Sequence, residues 1–166
     1  MQLHEARDKF IEAWGTFGSA WGIPRSMAQV HAALIVSPEP MSTEDVMERL
    51  NISRGNANTN LRALIDWSLV RKVLRAGERK EYFEAEKDVW KMATLIARER
   101  KKRELEPLIR LLNDLSHVEG QTNEAKAFRK MTTDLHDVTG RLDTLLEHST
   151  RRDVQWFVKA ASVLLK

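Results

Sequence analysis

The stretch STEDVMERLNISRGNANTNLRALIDWSLVRKVLRAGERKEYFEA, residues 42–85, decides the fold of this chain. Ser42 is a good N-cap residue, and acidic residues just after it favour a helix start because they interact well with the amino-terminal end of the helix dipole. The pattern therefore predicts a short helix over about residues 43–50 that buries Val46 and Leu50.

A second helix follows after a tight turn at Asn51 and Ile52. Ser53 can cap it, and its pattern runs over about residues 54–67. Its predicted buried face has helical spacing and consists of Ala57, Leu61, Leu64 and Ile65. The two helices with their turn make a helix-turn-helix.

The apolar pattern changes after Trp67 from helical to strand-like. Residues 69–75 and 79–85 predict two strands, and Ala76-Gly77-Glu78 between them predicts a turn. A β-hairpin directly behind a helix-turn-helix is the plan of a winged domain. We therefore expect a mainly α fold with a small β-hairpin wing, a winged helix-turn-helix with N- and C-terminal dimerisation helices.

The polar face of the second helix has the residue types that read bases. The side opposite its apolar set carries Gly55, Asn56, Thr59 and Arg62, with Asn58 on the flank. Asparagine can pair with adenine and arginine with guanine in the major groove. Without a side chain, Gly55 would let the backbone approach a duplex closely. Asn60 falls nearer the buried side, and its role stays open.

Phosphate contacts are expected at the helix start and on the wing. The candidates are Ser53, Arg54, Arg75, Gly77, Arg79 and Lys80. Residues 53–82 hold seven basic and three acidic side chains, whereas residues 1–52 hold four basic and seven acidic ones. A polar helix face alone is usually only solvated, but together with a basic hairpin it predicts double-stranded DNA as the partner.

An aromatic stripe marks the first predicted helix, over about residues 2–21. It consists of Leu3, Ala6, Phe10, Trp14, Phe17 and Trp21, at steps of three and four. Gly15, Gly18 and Gly22 weaken this helix. The aromatic residues Trp14, Phe17 and Trp21 are candidates for a cage around a quaternary ammonium ligand, although such rows serve more often as core or interface anchors.

The flanking segments are helical in pattern. A helix over about residues 24–36 ends at Ser37-Pro38-Glu39-Pro40. Beyond Asp88, a helix cap, the inward residues are expected to be Val89, Ala93, Ile96, Ala97, Leu105, Leu108, Ile109, Leu112 and Leu115. We expect Pro107 to kink or break this helix and Gly120 to end it.

A coiled-coil-like seam occupies the segment from about residue 122 to 148. It is formed by Phe128, Met131, Leu135, Val138, Leu142 and Leu145. The seam is either a dimer contact or an intramolecular stripe, and we favour the dimer because little monomer core remains to be covered. A last helix over about 151–165 is expected to bury Val154, Phe157, Val158, Ala161 and Leu164 or Leu165.

Composition excludes several classes of protein. The chain has no cysteine, so it has no disulfide, thiolate zinc site or thiol redox chemistry. Its histidines lack the spacing of a metal site, and it has no phosphate-binding glycine loop or nucleophile elbow, so we expect neither an enzyme nor a cofactor. The first residues lack a signal-peptide core and no run of 18 residues is apolar, so we expect a cytoplasmic protein without membrane contact.

Five stretches of the chain resemble the GbsR branch of the MarR superfamily of winged helix-turn-helix regulators. They are WGIPRS (21–26), ISRGNANTNLR (52–62), WSLVRK (67–72), GERKEYF (77–83) and RERKKRELEP (98–107). Such proteins are dimeric repressors or regulators whose terminal helices build the dimer. Some members control genes for compatible solutes such as glycine betaine, and some respond to choline. The chain departs from many winged domains at Ser68, where they place glycine.

The sequence thus predicts three parts: an N-terminal helix (1–22), a winged DNA-binding domain (23–87) and a C-terminal helical dimerisation region (88–166). We expect a homodimer on a pseudo-palindromic operator, with a quaternary ammonium or other osmolyte as effector. The alternative is a winged adaptor that docks proteins and reads no sequence. The basic run Arg98–Arg103 is either an additional DNA contact or a solvated helix face.

Overall fold

The computed structural model describes residues 1–151, with side chains up to Glu147. In chain order its elements are α1 (Leu3–Ala20), α2 (Arg25–Val36), β1 (Met41–Ser42), α3 (Thr43–Leu50), α4 (Arg54–Asp66), β2 (Val70–Leu74), β3 (Glu81–Ala85), α5 (Val89–Arg100), a π-helical segment (Lys101–Leu105), α6 (Glu106–Leu115) and α7 (Asn123–Arg151). They fall into a unit Met1–Met92 and a second unit that begins at Ala93. The helix expected over 151–165, with its five apolar positions, lies outside the described residues.

Both caps of the helix-turn-helix form as the sequence predicts. The Ser42 hydroxyl accepts a hydrogen bond from the Asp45 amide at 3.2 Å, and the Asp45 carboxylate accepts one from the Ser42 amide at 2.7 Å. Asn51 ends α3 in the left-handed conformation, with φ of 50°. Ser53 then accepts from the Asn56 amide at 3.3 Å and starts α4. Paired capping bonds of this kind satisfy amides that would otherwise lack partners, so the turn between the helices is defined locally.

The core of the first unit is built from α2, α3 and α4. Its fully buried side chains include Val30, Leu34, Val46, Leu61 and Leu64. Complete burial of one such side chain contributes roughly 1.5–3 kcal/mol. The predicted inner face of α4 is therefore confirmed, except that Ile65 is only half-buried, and Leu50 of α3 is half-buried as well.

The wing is a hairpin with one additional strand. Strands β2 and β3 pair antiparallel, with Val70 opposite Ala85 and Leu74 opposite Glu81. Strand β1, which the sequence does not predict, pairs with β3 through Met41 opposite Phe83, so the strand order is β1-β3-β2. Two residues are too few to show the alternating pattern of a strand. Met41 and Ser42 form one only because β3 lies beside them and pairs with them.

Glycine allows the close approach of α1 and α2, while Phe10 and Trp14 of the aromatic stripe are half-buried against the same core. Ile11, Gly15 and Gly18 are the buried residues of α1, whereas Phe17 and Trp21 are exposed. A Cβ atom added at Gly18 would lie 2.5 Å from the Ala28 Cβ of α2. The glycines expected only to weaken α1 are thus what lets the two helices approach closely.

Replacing Gly18 with alanine should destabilise the first unit by about 1–2 kcal/mol, because the clash with Ala28 outweighs the gain in helix propensity. Gly140 of α7 is a matched control, since an added Cβ there meets nothing within 4 Å. Gly140→Ala should stabilise by about 0.5–1 kcal/mol. Urea unfolding of both variants measures the difference, and equal effects would contradict the close contact.

Helix α5 begins at the predicted cap but turns a different face inward. The Asp88 carboxylate accepts hydrogen bonds from the amides of Trp90 and Lys91 at 2.9 and 3.1 Å. Val89 and Ala93, expected inside, are exposed, and Met92 is the buried residue. Several faces of α5 carry apolar residues, and the position of the core decides which of them is covered.

Pro107 does not break the long helical run, but the α-helix is interrupted just before it. The segment before it, Lys101–Leu105, is π-helical, and α6 starts at Glu106 with the proline in its first turn. A local π-helical turn accommodates a residue that cannot donate a backbone hydrogen bond. The end predicted at Gly120 is wrong, because α6 ends at Leu115 and Gly120 lies in the connection to α7, with φ of +125°.

In the second unit, α7 packs against α6 with a face other than its seam. The α7 residues buried there are Thr132 and Thr139, whose hydroxyls donate to carbonyls of their own helix. The seam residues Phe128, Met131, Leu135, Val138, Leu142 and Leu145 are 43–60% exposed in the single chain. Leu108 of α6, expected inside, is exposed too. Within the part of the chain that the structure describes, this apolar helix face is therefore largely uncovered.

Candidate nucleic-acid interface

The base-reading face predicted for α4 points outward. Asn56, Thr59 and Arg62 are all exposed, while Ala57 and Leu61 on the other side of the helix are buried. The capping bond of Ser53 places this face at the start of α4, directly behind the turn. Side chains at the N-terminal end of such a helix are the ones that reach base edges in a major groove.

Gly55 lies open at the beginning of α4. A Cβ atom added there meets nothing within 4 Å, so no contact inside the described chain requires glycine. The lack of a side chain instead leaves the space beside the first turn of α4 open. This position can therefore come close to a phosphate group, as the sequence suggested.

Two residues of the predicted set, Arg54 and Asn58, link α4 to α3. The Arg54 guanidinium donates to the Glu44 carboxylate of α3 at 2.7 Å. Hydrogen bonds from its own backbone amide and from Arg54 hold the pKa of Glu44 below its ordinary value. Asn58 accepts from the Thr43 hydroxyl at 3.4 Å, so it also links α4 to the start of α3.

The wing carries exposed cations at its tip. Gly77 adopts φ of +82°, which favours glycine in this turn. Arg79 and Lys80 are exposed, and no ion pair holds either of them among the described residues. Arg75 is half-buried, with its guanidinium 4.2 Å from the centre of the Tyr82 ring and 3.6 Å from Glu39. Arg75 is thus engaged within the protein, whereas Arg79 and Lys80 at the tip are available to a phosphate.

A cleft of about 330 Å³ separates α4 from the wing strands. Its basic lining consists of Arg54, Arg62, Lys72 and Lys80, opposed by Glu44 and Glu81. Lys72 is a residue that the sequence analysis missed, and it forms an ion pair with Glu81 at 2.7 Å. The alternation of strand β2 could have indicated it, because Lys72 and Arg71 must point to opposite faces of the sheet.

The basic run Arg98–Arg103 is largely used inside the second unit. Lys101 lies 3.2 Å from Asp143 and 3.0 Å from Glu147, and these hydrogen bonds raise its pKa. Arg103 pairs with Glu99 at 2.9 Å. These contacts favour a role of the run in holding the helices of that unit together.

The three aromatic residues considered for a ligand cage stand in one row along α1. The ring centroids of Trp14 and Phe17 are 5.7 Å apart, and those of Phe17 and Trp21 are 5.3 Å apart. Successive rings therefore lean on each other and do not surround a space. A cage around a cation would need further walls from outside this helix.

Comparison with known proteins points to one group of regulators. The HTH-type transcriptional repressor GbsR of Bacillus subtilis (strain 168) is 30% identical over 92 residues, which are 55% of this chain and 51% of that protein. The HTH-type transcriptional regulator YvaV of the same strain, itself described as putative, is 26% identical over 88 residues, 53% of this chain and 50% of that protein. MmpR5 of Mycobacterium tuberculosis, an HTH-type transcriptional regulator, is 30% identical over 76 residues, 45% of this chain and 46% of that protein. The chain thus spans about half the length of the curated relatives it matches.

A solved structure described as a transcriptional regulator superposes with a TM-score of 0.67 at 21% identity, and the match covers 90% of this chain and 99% of that one. At this identity the likeness shows the fold, which agrees with the winged helix seen here. No protein-family model matches the chain. No helix among residues 1–151 combines the length and the apolar character needed to cross a membrane. In sequence the chain is similar to the HTH-type transcriptional repressor GbsR, and its fold is that of a winged helix-turn-helix protein.

Proposed function

We propose that the chain is a sequence-specific DNA-binding regulator of transcription that acts as a repressor. The observation that carries this proposal is the outward face of α4, with Asn56, Thr59 and Arg62 exposed beside the basic wing. α4 enters a major groove, and Arg79 and Lys80 contact phosphates beside it. The chain is also similar to a transcriptional repressor and to a transcriptional regulator over about half their length, which supports the same proposal.

The proposal includes a homodimer. The seam of α7, which is exposed among the described residues, has the heptad spacing of a helix that pairs with another helix. A second copy is the natural occupant, because identical apolar faces are complementary under two-fold symmetry. Two copies of α4 then read two half-sites of a pseudo-palindromic operator about one helical turn apart.

Arg62→Ala should weaken binding to the operator by about 1–3 kcal/mol and relax base preference at one position per half-site, because a bidentate arginine–guanine pair is lost. Arg71→Ala is the control. Arg71 is exposed and pairs with Glu84. It points to the opposite face of β2 from Lys72, which lines the cleft. Gel shifts on an operator selected from random duplexes measure both. Unchanged base preference in Arg62→Ala would contradict the assignment of this face.

Salt dependence separates the regulator from the winged adaptor. A regulator selects one sequence, and the logarithm of its affinity falls steeply with the logarithm of salt concentration because cations on the protein displace counterions from phosphates. An adaptor binds duplexes weakly and without selection. Failure to enrich any sequence from a random pool would therefore favour the adaptor.

A small-molecule effector is the remaining part of the proposal. By its resemblance to the GbsR branch, the chain controls compatible-solute genes and responds to a quaternary ammonium compound or another osmolyte. Trp14, Phe17 and Trp21 supply one aromatic wall, and a partner chain would supply the others. Calorimetry with choline and glycine betaine tests this part, and the absence of heat together with unchanged operator affinity would remove it.

A further inference from the structure

Asn60 is a buried polar residue that the proposed reading face leaves unexplained. It lies one turn after Asn56 on α4 and is 7% exposed. Its Nδ2 donates to the backbone carbonyl of Asn56 at 3.0 Å and to the Asn56 side-chain Oδ1. Its own Oδ1 lies 3.5 Å from the hydroxyl of Ser26 on α2. A buried amide with partners on both sides is held in one orientation.

The identity of these atoms follows from chemistry. A backbone carbonyl can only accept, so the Asn60 atom beside it must be the NH₂ group and not the oxygen. The other hydrogen of that NH₂ group points to the Asn56 side chain and needs an acceptor there. Asn56 therefore turns its Oδ1 towards Asn60, which leaves its Nδ2 on the side away from Asn60.

We propose that Asn60 is a positioning residue that sets the base preference of Asn56. Asn60 occupies one lone pair of the Asn56 oxygen and holds that oxygen turned towards itself, so Asn56 presents its Nδ2 donor first to a duplex. The bidentate pairing with adenine needs an acceptor for N6 and a donor for N7 on the same edge, whereas guanine presents two acceptors, N7 and O6, to a single donor. The operator base opposite Asn56 is thus guanine rather than adenine. This inference rests on the proposed function, because it matters only if α4 reads bases.

The test uses the full chain and duplexes selected from a random pool. Asn56→Ala identifies the operator position that Asn56 reads. At that position the unaltered protein should prefer guanine to adenine, and Asn60→Leu should shift the ratio about tenfold towards adenine, because the freed amide can then rotate to present both atoms. Leucine is close to asparagine in size and has no polar atom to leave unpaired inside.

Leu64→Met is the control for altered packing on the buried face of α4. Leu64 lies about one turn further from Asn56 than Asn60 does, and its side chain has no polar group. It should leave the base ratio unchanged. Asn60→Ala gives a second, smaller side chain and should shift the ratio in the same direction as leucine. Thermal unfolding of each variant shows whether it is folded.

Three outcomes are distinguishable. The first outcome needs no Asn60 variant. If the unaltered protein prefers adenine at the operator position that Asn56 reads, the inference is overturned. An unchanged ratio in folded Asn60→Leu and Asn60→Ala also overturns it, while leaving base reading by α4 intact. If the unaltered protein enriches no sequence at all, the proposed function itself fails.

Discussion

Replacing Leu135 and Leu142 of α7 with aspartate should turn the proposed dimer into a monomer and lower operator affinity on the order of a hundredfold or more. The two leucines are seven residues apart on the exposed seam, 45% and 48% exposed in the single chain. In a paired seam both would become buried, and an unpaired carboxylate in such a place costs several kcal/mol. Losing the dimer separates the two reading helices, so each half-site must be bound independently.

Light scattering after size-exclusion chromatography measures the mass, and a gel shift measures operator affinity. Thr133→Asp with Thr144→Asp is the matched control, because it adds the same charge at exposed positions of α7 away from the seam. This control should stay dimeric. A double leucine variant that keeps the dimer mass would show that the seam has another partner, and a chain that is monomeric before any substitution would remove the dimer from the proposal.

Acid should destabilise the first unit through His31. This histidine is 3% exposed in the core, its Nε2 makes no hydrogen bond among the described residues, and burial lowers its pKa from 6.5 to about 4. Between these two values the unfolded chain binds more protons than the folded one, so lowering the pH favours unfolding. The free energy of unfolding should therefore fall by about 3 kcal/mol between pH 7.5 and pH 4 on account of this one group.

His31→Leu isolates that contribution. The variant should lose the extra pH dependence between about pH 6.5 and 4. It should be at least as stable as the unaltered protein at pH 5, because no histidine at position 31 then takes up a proton on unfolding. Urea unfolding followed by tryptophan fluorescence at several pH values measures both slopes, and His4→Leu controls for replacing an exposed histidine. Identical slopes in His31→Leu and the unaltered chain would show that His31 is not buried in solution.

The local elements of the winged domain were predictable from the sequence. Ser42 and Ser53 cap their helices through bonds to residues three positions later, and Gly77 closes the hairpin turn. The outward position of Asn56, Thr59 and Arg62 follows in the same way from the apolar set on the other side of α4. Such features depend on interactions within a few residues, and for this reason they can be read without knowing the rest of the fold.

The amphipathic faces of α1, α5 and α6 were harder to predict. Their apolar residues occupy more than one face, so periodicity alone does not say which face meets the core. The aromatic stripe had the better spacing in α1, yet its Phe17 and Trp21 end is exposed. Gly15 and Gly18 are buried instead, because they let α2 come close. Shape complementarity between two helices is a property of the pair and not of either sequence.

By itself, then, the sequence determined that a capped helix pair and a charged hairpin form, and which side of α4 faces outward, because these depend on neighbours along the chain. The tertiary structure alone decided that Met41 and Ser42 become a strand, that Met92 and not Val89 turns inward, and that Asn60 binds the amide of Asn56. These features depend on the surfaces that meet when the chain folds. Such surfaces belong to segments far apart in sequence or to side chains on adjacent turns of one helix. No spacing of residue types encodes that geometry before the chain has folded.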